Sequence, residues 1–264
     1  MNNLFLRDAS IMLSDKEKSY SNSLKRLEKT FLICHKNNIN IQITIDKNFF
    51  LKNHKKIYLI LKRSKKKIKK ITIHLTTSYN NLFSEDDETK EFTKNLIYLI
   101  KELGRKIVGI CIHPDHINSW KYLKKLKTKN NYLAIEVTDK KAKYGNRISH
   151  LRKILKNNHY LKVVLDTSHI KELKKNNIMT FKNFYKNFKS YIVEAQISDF
   201  GNFYNSNKIK TTHSLLFLKK DDEIRNQIKI LKEKNINFVI EGLVPYFRNN
   251  DKIIRNEINY IKNI

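Results

Sequence analysis

The chain predicts an α/β protein, a (β/α)8 barrel with a parallel eight-stranded core, folded as a single domain over residues 1–264. Three observations carry this. Short β-branched runs alternate with longer polar stretches of helical period. The runs are apolar on both faces in the middle, as strands covered on both sides are. Eight runs in 264 residues leave about 33 residues for each, the size of a βα unit, and the total matches the roughly 250 residues of such a barrel. An open doubly wound sheet would share the alternation, but no Gly-rich phosphate loop follows the first run. No Pro/Gly/Ser linker divides the chain.

The strands are expected at 4–13, 39–45, 71–75, 108–113, 132–137, 161–165, 191–197 and 237–241. Four helices stand out between and after them. Residues 16–37 carry Leu24, Leu27, Phe31 and Leu32 near a 3.6 period. Residues 85–103 open with acidic side chains, which suit the positive end of a helix dipole, and continue with Phe92, Leu96, Leu99 and Ile100. Residues 221–234 and 251–261 each begin with Asp.

Composition excludes several classes. At 40% hydrophobic and 11% aromatic the chain can bury a core, so global disorder is excluded. Five Gly and two Pro exclude collagen-like and low-complexity chains. No apolar run reaches the ~18–20 residues of a membrane span, and MNNLFLRDAS lacks a basic-then-apolar leader pattern. Cys34 and Cys111 give no disulfide framework and read as small buried hydrophobes. A reducing, cytoplasmic setting is the expectation.

The net charge of +29, from 54 Lys+Arg against 25 Asp+Glu, has two readings. A polyanion such as nucleic acid is one. The other is compositional. Lys far outnumbers Arg, Asn and Ile are also abundant, and AT-rich codons produce that mixture whatever the function. The densest run, KRSKKKIKK at 62–70, falls at an expected helix end.

In a (β/α)8 barrel the strand C-termini converge on one face. Those ends carry His74 in ITIHLTTSY; His113, Asp115 and His116 in ICIHPDHIN; Glu136 in LAIEVTD; and Asp166 and His169 in VVLDTSHI. Gln196, Ser198 and Asp199 follow in VEAQISDF, His213 in the loop after strand seven, and Glu241 in FVIEGLVP. Singly, each has a plain structural use; Asp166, for instance, could cap the next helix. Jointly, three carboxylates and several imidazoles aimed at one small volume need a cation. Imidazole with carboxylate suits Zn, Mn or Co. His35, His54, His150 and His159 are expected outside the site. Asp46 is the one contributor expected from the first two strands, with turn capping as its alternative.

The order His74, His113-Pro114, Glu136, Asp166-x-x-His169, Asp199, His213, Glu241 resembles the xylose isomerase-like TIM-barrel superfamily, which includes sugar phosphate isomerases/epimerases and endonuclease IV (AP endonuclease family 2). The resemblance implies a divalent metal held by Glu136, Asp166 and Glu241, with a strand-seven position that is usually His. That position is Gln196 here, a poorer zinc ligand. The Asp of the nuclease branch's Asp-x-His pair is also missing from KIKTTHSLL, although His213 remains. The widest ligand set is therefore Glu136, Asp166, Gln196, Glu241, His74, His113, His169 and His213.

Three functions follow as expectations. The first is a metal-dependent sugar or sugar-phosphate isomerase/epimerase, in which Glu136 and Glu241 pass a proton and His169 holds a substrate oxygen. The second is an AP-site phosphodiesterase acting on DNA. The third is a barrel that has lost catalysis and binds a ligand.

Overall fold

The computed structural model describes residues 3–10, 23–76, 82–200, 213–244 and 250–264. Eight parallel strands close in sequence order: β1 (Leu4–Arg7), β2 (Asn40–Asp46), β3 (Ile71–Thr76), β4 (Ile107–Ile112), β5 (Tyr132–Glu136), β6 (Leu161–Asp166), β7 (Ile192–Ile197) and β8 (Asn237–Ile240). β8 returns to β1 with Leu4 opposite Phe238 and Leu6 opposite Ile240. The expected barrel is present. The first strand is shorter than expected, ending at Arg7 in a 3-10 turn, and residues 11–13 of the expected run lie outside the described residues.

Ten helices lie among the described residues: α1 (Leu24–Lys36), α2 (Lys47–Ser64), α3 (Asp87–Leu103), α4 (Trp120–Lys124), α5 (Ile148–Asn157), α6 (Thr167–Lys175), α7 (Phe181–Phe188), α8 (Leu216–Lys219), α9 (Asp222–Lys232) and α10 (Asn250–Asn263). Acidic residues cap two of the four expected helices. Asp86 accepts from the Thr89 amide before α3, and Asp221 from the Ile224 amide before α9. The cap itself is extended rather than helical, which is why these helices begin one residue after it. The lysine-rich run starts in the last turn of α2, where positive charge meets the negative end of the helix dipole.

Strand alternation divides two environments. Ile43, Ile73, Ile110, Ile112, Leu133, Ile135, Val163 and Leu165 face outward into one large apolar layer shared with the helices. The interior face differs from the expectation of apolar residues on both sides. Cys111, Ala134 and Val164 form only a small apolar patch there. Below it runs a polar layer. Gln42 Nε2 on β2 donates to Glu194 Oε1 on β7 at 2.9 Å, and Tyr132 Oη on β5 donates to Glu194 Oε2 at 2.7 Å. Asn237 on β8 donates in turn to Tyr132 Oη at 2.9 Å. Bonds between strands that are not neighbours can pass only through the barrel interior, so they fix which residues point in. Gly109 on β4 makes room for the Tyr132 ring that crosses it.

Candidate metal centre

The next layer toward the strand C-termini collects the site. Arg7, Thr44, His74, Glu136, Asp166 and Glu241 all project into the barrel mouth and all are buried. Their contacts form a closed ring. The Arg7 guanidinium pairs with Glu241 Oε1 and contacts His74 Nδ1. His74 Nε2 lies 3.0 Å from Glu136 Oε2, and His113 Nε2 lies 3.2 Å from Glu136 Oε1. His169 Nδ1 stands 3.7 Å from Glu136 Oε1 and 3.3 Å from Asp166 Oδ2. His213 Nδ1 completes the circuit, 3.9 Å from Asp166 Oδ2 and 3.6 Å from Glu241 Oε2. The eight expected ligand residues are thus brought together, with Gln196 one step deeper on β7.

Local structure explains each position. Asp166 ends β6 and caps α6: its Oδ1 accepts from the Ser168 amide at 2.7 Å, the His169 amide at 3.1 Å and Ser168 Oγ at 2.8 Å. Capping and site roles therefore coexist, because Oδ2 stays out of the cap and is a buried oxygen without a hydrogen bond. His169 sits on the first turn of α6, and its Nδ1 donates to the Val137 carbonyl at 2.7 Å. A carbonyl can only accept, so the lone pair of His169 is on Nε2. Ser168 Oγ, already donating to Asp166, accepts from His213 Nδ1 at 3.0 Å, and Ser198 Oγ lies 2.8 Å from the same nitrogen. This puts the His213 lone pair on Nε2 as well. The Ser214–Asp199 bridge and the Leu243 amide on the His213 carbonyl pin His213 over the barrel. Gly242 permits this approach, since a Cβ there would stand 2.9 Å from Leu215 Cα.

Gln196 orients in a way the sequence did not reveal. Its Nε2 donates to Cys111 Sγ at 3.5 Å, which leaves the buried Oε1 without a hydrogen bond. Cys111 is a neutral thiol, pushed well above its usual range by burial, and both cysteines are free and buried as expected.

Electrostatics follow from burial and charge. Burial, reinforced by the Arg7 charge, lowers His74 to about 3. Burial, with His169 and Arg7 nearby, lowers His213 to about 4 despite Asp166. Both are neutral rings at neutral pH. Burial opposes protonation of His113 too, but the Glu136 charge outweighs it and raises that ring. Glu136, whose burial would raise it, is held well below the usual carboxylate range by His113 and His74. Formally, three buried carboxylates face one guanidinium. That excess of negative charge, with Asp166 Oδ2 and Gln196 Oε1 lacking hydrogen bonds, fits a divalent cation.

Four residues among those read as candidates are not part of the ring itself, although Asp115 and His116 adjoin it through His113 and with it form a further group of candidate ligands. Asp199 is buried but pairs with Lys171 Nζ at 2.5 Å. Asp115 and His116 form the 3-10 turn after β4, where the His116 ring stacks on His113. Asp46 caps α2 through the Phe49 amide, its plain alternative. His35, His54, His150 and His159 are exposed or half-buried, away from the ring.

Arg7 is the site residue sequence reasoning missed, and it corrects the reading that Asp46 alone could come from the first two strands. The signal was present: in LFLRD a basic residue ends the first apolar run, the position treated as informative on every later strand. Extending that strand to residue 13 hid it. Arg7 is held by Thr44 Oγ1, 3.4 Å from its Nε, and Thr44 is held in turn by Asp8, whose Oδ1 accepts from the Thr44 amide at 2.8 Å.

The sequence matches no protein-family model and no curated protein sequence. Solved structures do match the fold. A 3-keto-D-glucoside 4-epimerase from E. coli aligns over 99% of both chains at 11% identity and a TM-score of 0.60. An AP endonuclease, family 2, from Brucella melitensis aligns over 95% of this chain and 96% of its own, at 8% identity and a TM-score of 0.61. A xylose isomerase-like TIM barrel protein from Mycobacterium smegmatis, in complex with magnesium, aligns over 92% and 89% at 10% identity and a TM-score of 0.56. The chain has the fold of the xylose isomerase-like TIM barrels.

Proposed function

We propose that this protein is a divalent-metal-dependent phosphodiesterase that cleaves the sugar-phosphate backbone of DNA at abasic sites. One observation carries the reading. Glu136 is buried with imidazole nitrogens of His74 and His113 3.0 and 3.2 Å from its two oxygens, and Glu241 is ion-paired to Arg7. Carboxylates held in this way are poor proton-abstracting bases, which an isomerase needs and a metal-dependent hydrolase does not. The likeness to an AP endonuclease, family 2, and the net charge of +29 agree with a nucleic-acid substrate.

In this reading Asp166, Gln196, His169 and His213 hold the cation, with Glu136 at its edge. The metal, when bound, supplies Lewis acidity and lowers the pKa of water. Arg7 stabilises negative charge at the barrel axis, as fixed cations do for phosphoryl oxygens. His113, partly exposed and biased toward its protonated form, supplies a proton to the leaving oxygen.

The isomerase/epimerase reading remains the second. It is favoured by the likeness to a 3-keto-D-glucoside 4-epimerase, and in it Glu136 and Glu241 pass the proton while His169 holds a substrate oxygen. The deciding experiment runs two assays on one metal-loaded preparation containing Zn, Mn or Co. One is nicking of a duplex with a single abasic site; the other is turnover of a panel of ketoses and ketose phosphates. Nicking that is lost in Glu136→Gln supports the nuclease. Ketose turnover without nicking overturns it, and silence in both leaves the ligand-binding barrel.

A further inference from the structure

The guanidinium of Arg7 makes two contacts at once, one with Glu241 Oε1 and one with His74 Nδ1. Arg carries only donors. His74 Nδ1 must therefore be the accepting nitrogen, and its proton sits on Nε2, facing Glu136 Oε2 at 3.0 Å. Only Nδ1 of His74 is committed by a hydrogen bond; Nε2 and the Glu136 Oε2 it faces are both buried without one. Arg7 thus occupies one atom of each of two expected ligands, the accepting nitrogen of His74 and one oxygen of Glu241. Three groups have ligand atoms within 4.8 Å of one another: His74, Cys111 and Glu136, which Arg7 touches through His74; His113, Asp115 and His116 at the rim; and Asp166, His169 and His213, on the far side of the ring from Arg7.

We propose that Arg7 is a resident cation occupying the place a second metal would take between His74 and Glu241, so that the centre holds one divalent ion per chain. The proposal rests on the metal-centre reading above. It accounts for the position of Arg7 at the end of β1, since only a long side chain from that strand reaches both β3 and the end of β8.

The test is metal stoichiometry of the full chain, stripped and then dialysed against Zn or Mn, with elemental analysis. The wild type is expected to bind one equivalent and Arg7→Met two, with no assay of activity required. Two or more equivalents in the wild type, or one in a folded Arg7→Met protein, overturns the proposal while the metal reading stands. Should Arg7→Met fail to fold, Glu241→Gln decides. If Arg7 is the partner of Glu241, affinity for the first ion falls less than about tenfold; a loss beyond about a hundredfold makes Glu241 a ligand and overturns the proposal. Absence of binding in the wild type overturns the metal reading and the proposal together.

Discussion

Gly109 is the position where one methyl group should do most damage. A Cβ built there stands 2.5 Å from Tyr132 Oη and closer still to Cζ and Cε2 of the same ring. The ring cannot step aside cheaply. Its hydroxyl donates to Glu194 at 2.7 Å and accepts from Asn237 at 2.9 Å, across the barrel interior. Overpacking of this kind costs about 1–3 kcal/mol. Breaking the bond to a buried carboxylate adds about 1.5–3 kcal/mol. Gly109→Ala should therefore destabilise the fold by about 2.5–6 kcal/mol, a large share of the ~5–15 kcal/mol typical of a domain. Urea unfolding followed by circular dichroism measures it. A double-mutant cycle with Tyr132→Leu separates the cause. Removing the ring removes both the clash and the bond, so the double variant should lose less than the two singles combined by about the whole cost of Gly109→Ala. A loss below about 1 kcal/mol in Gly109→Ala, or additivity in the cycle, would refute the reasoning.

Two further outcomes are expected. Asp166→Asn keeps a capping side chain but loses the charge, so metal-free stability should change by less than about 1 kcal/mol, while affinity for Zn or Mn falls at least ~10-fold; urea unfolding and metal titration read the two separately. Glu257 on α10 is buried, accepts the Leu216 and Phe217 amides at 2.9 Å each, and is pushed up from 4.5 to about 7 by burial. Its folded state therefore holds the proton more tightly than the unfolded state. The stabilisation is full below pH ~4.5 and is lost as pH rises through ~7, worth about 3 kcal/mol. Glu257→Gln should flatten that part of the pH–stability curve relative to wild type, and an unchanged slope between the two would dismiss the assignment.

Strand ends and helix starts were readable because they rest on local chemistry. Runs of five to seven residues rich in Ile, Val and Leu, about 33 residues apart on average, place β2 to β8 within one or two residues at each end. Asp86, Asp166 and Asp221 announce helix starts through caps that involve only their own turn. The site list was readable for the same reason: once strands are placed, their C-terminal residues meet. His74, His113, Glu136, Asp166, His169, His213 and Glu241 do converge on one ring. Arg7 escaped because its use depends on reach. Nothing within LFLRD tells whether that side chain turns out to solvent or crosses to His74 and Glu241.

The sequence by itself determined the eightfold alternation, the closure-compatible length and the identity of the carboxylates and imidazoles at the barrel mouth. These are periodic or terminal features, and each is encoded within a few consecutive residues. Only the tertiary structure decided how those residues are shared. It pairs Arg7 with Glu241 and with Nδ1 of His74, turns Asp199 to Lys171 and lays Tyr132 over Gly109. The physical reason is that interior partners lie on strands tens to hundreds of residues apart, such as Gln42 and Glu194. Which buried donor meets which acceptor is set by closing the barrel around a small volume, which brings together groups from distant strands.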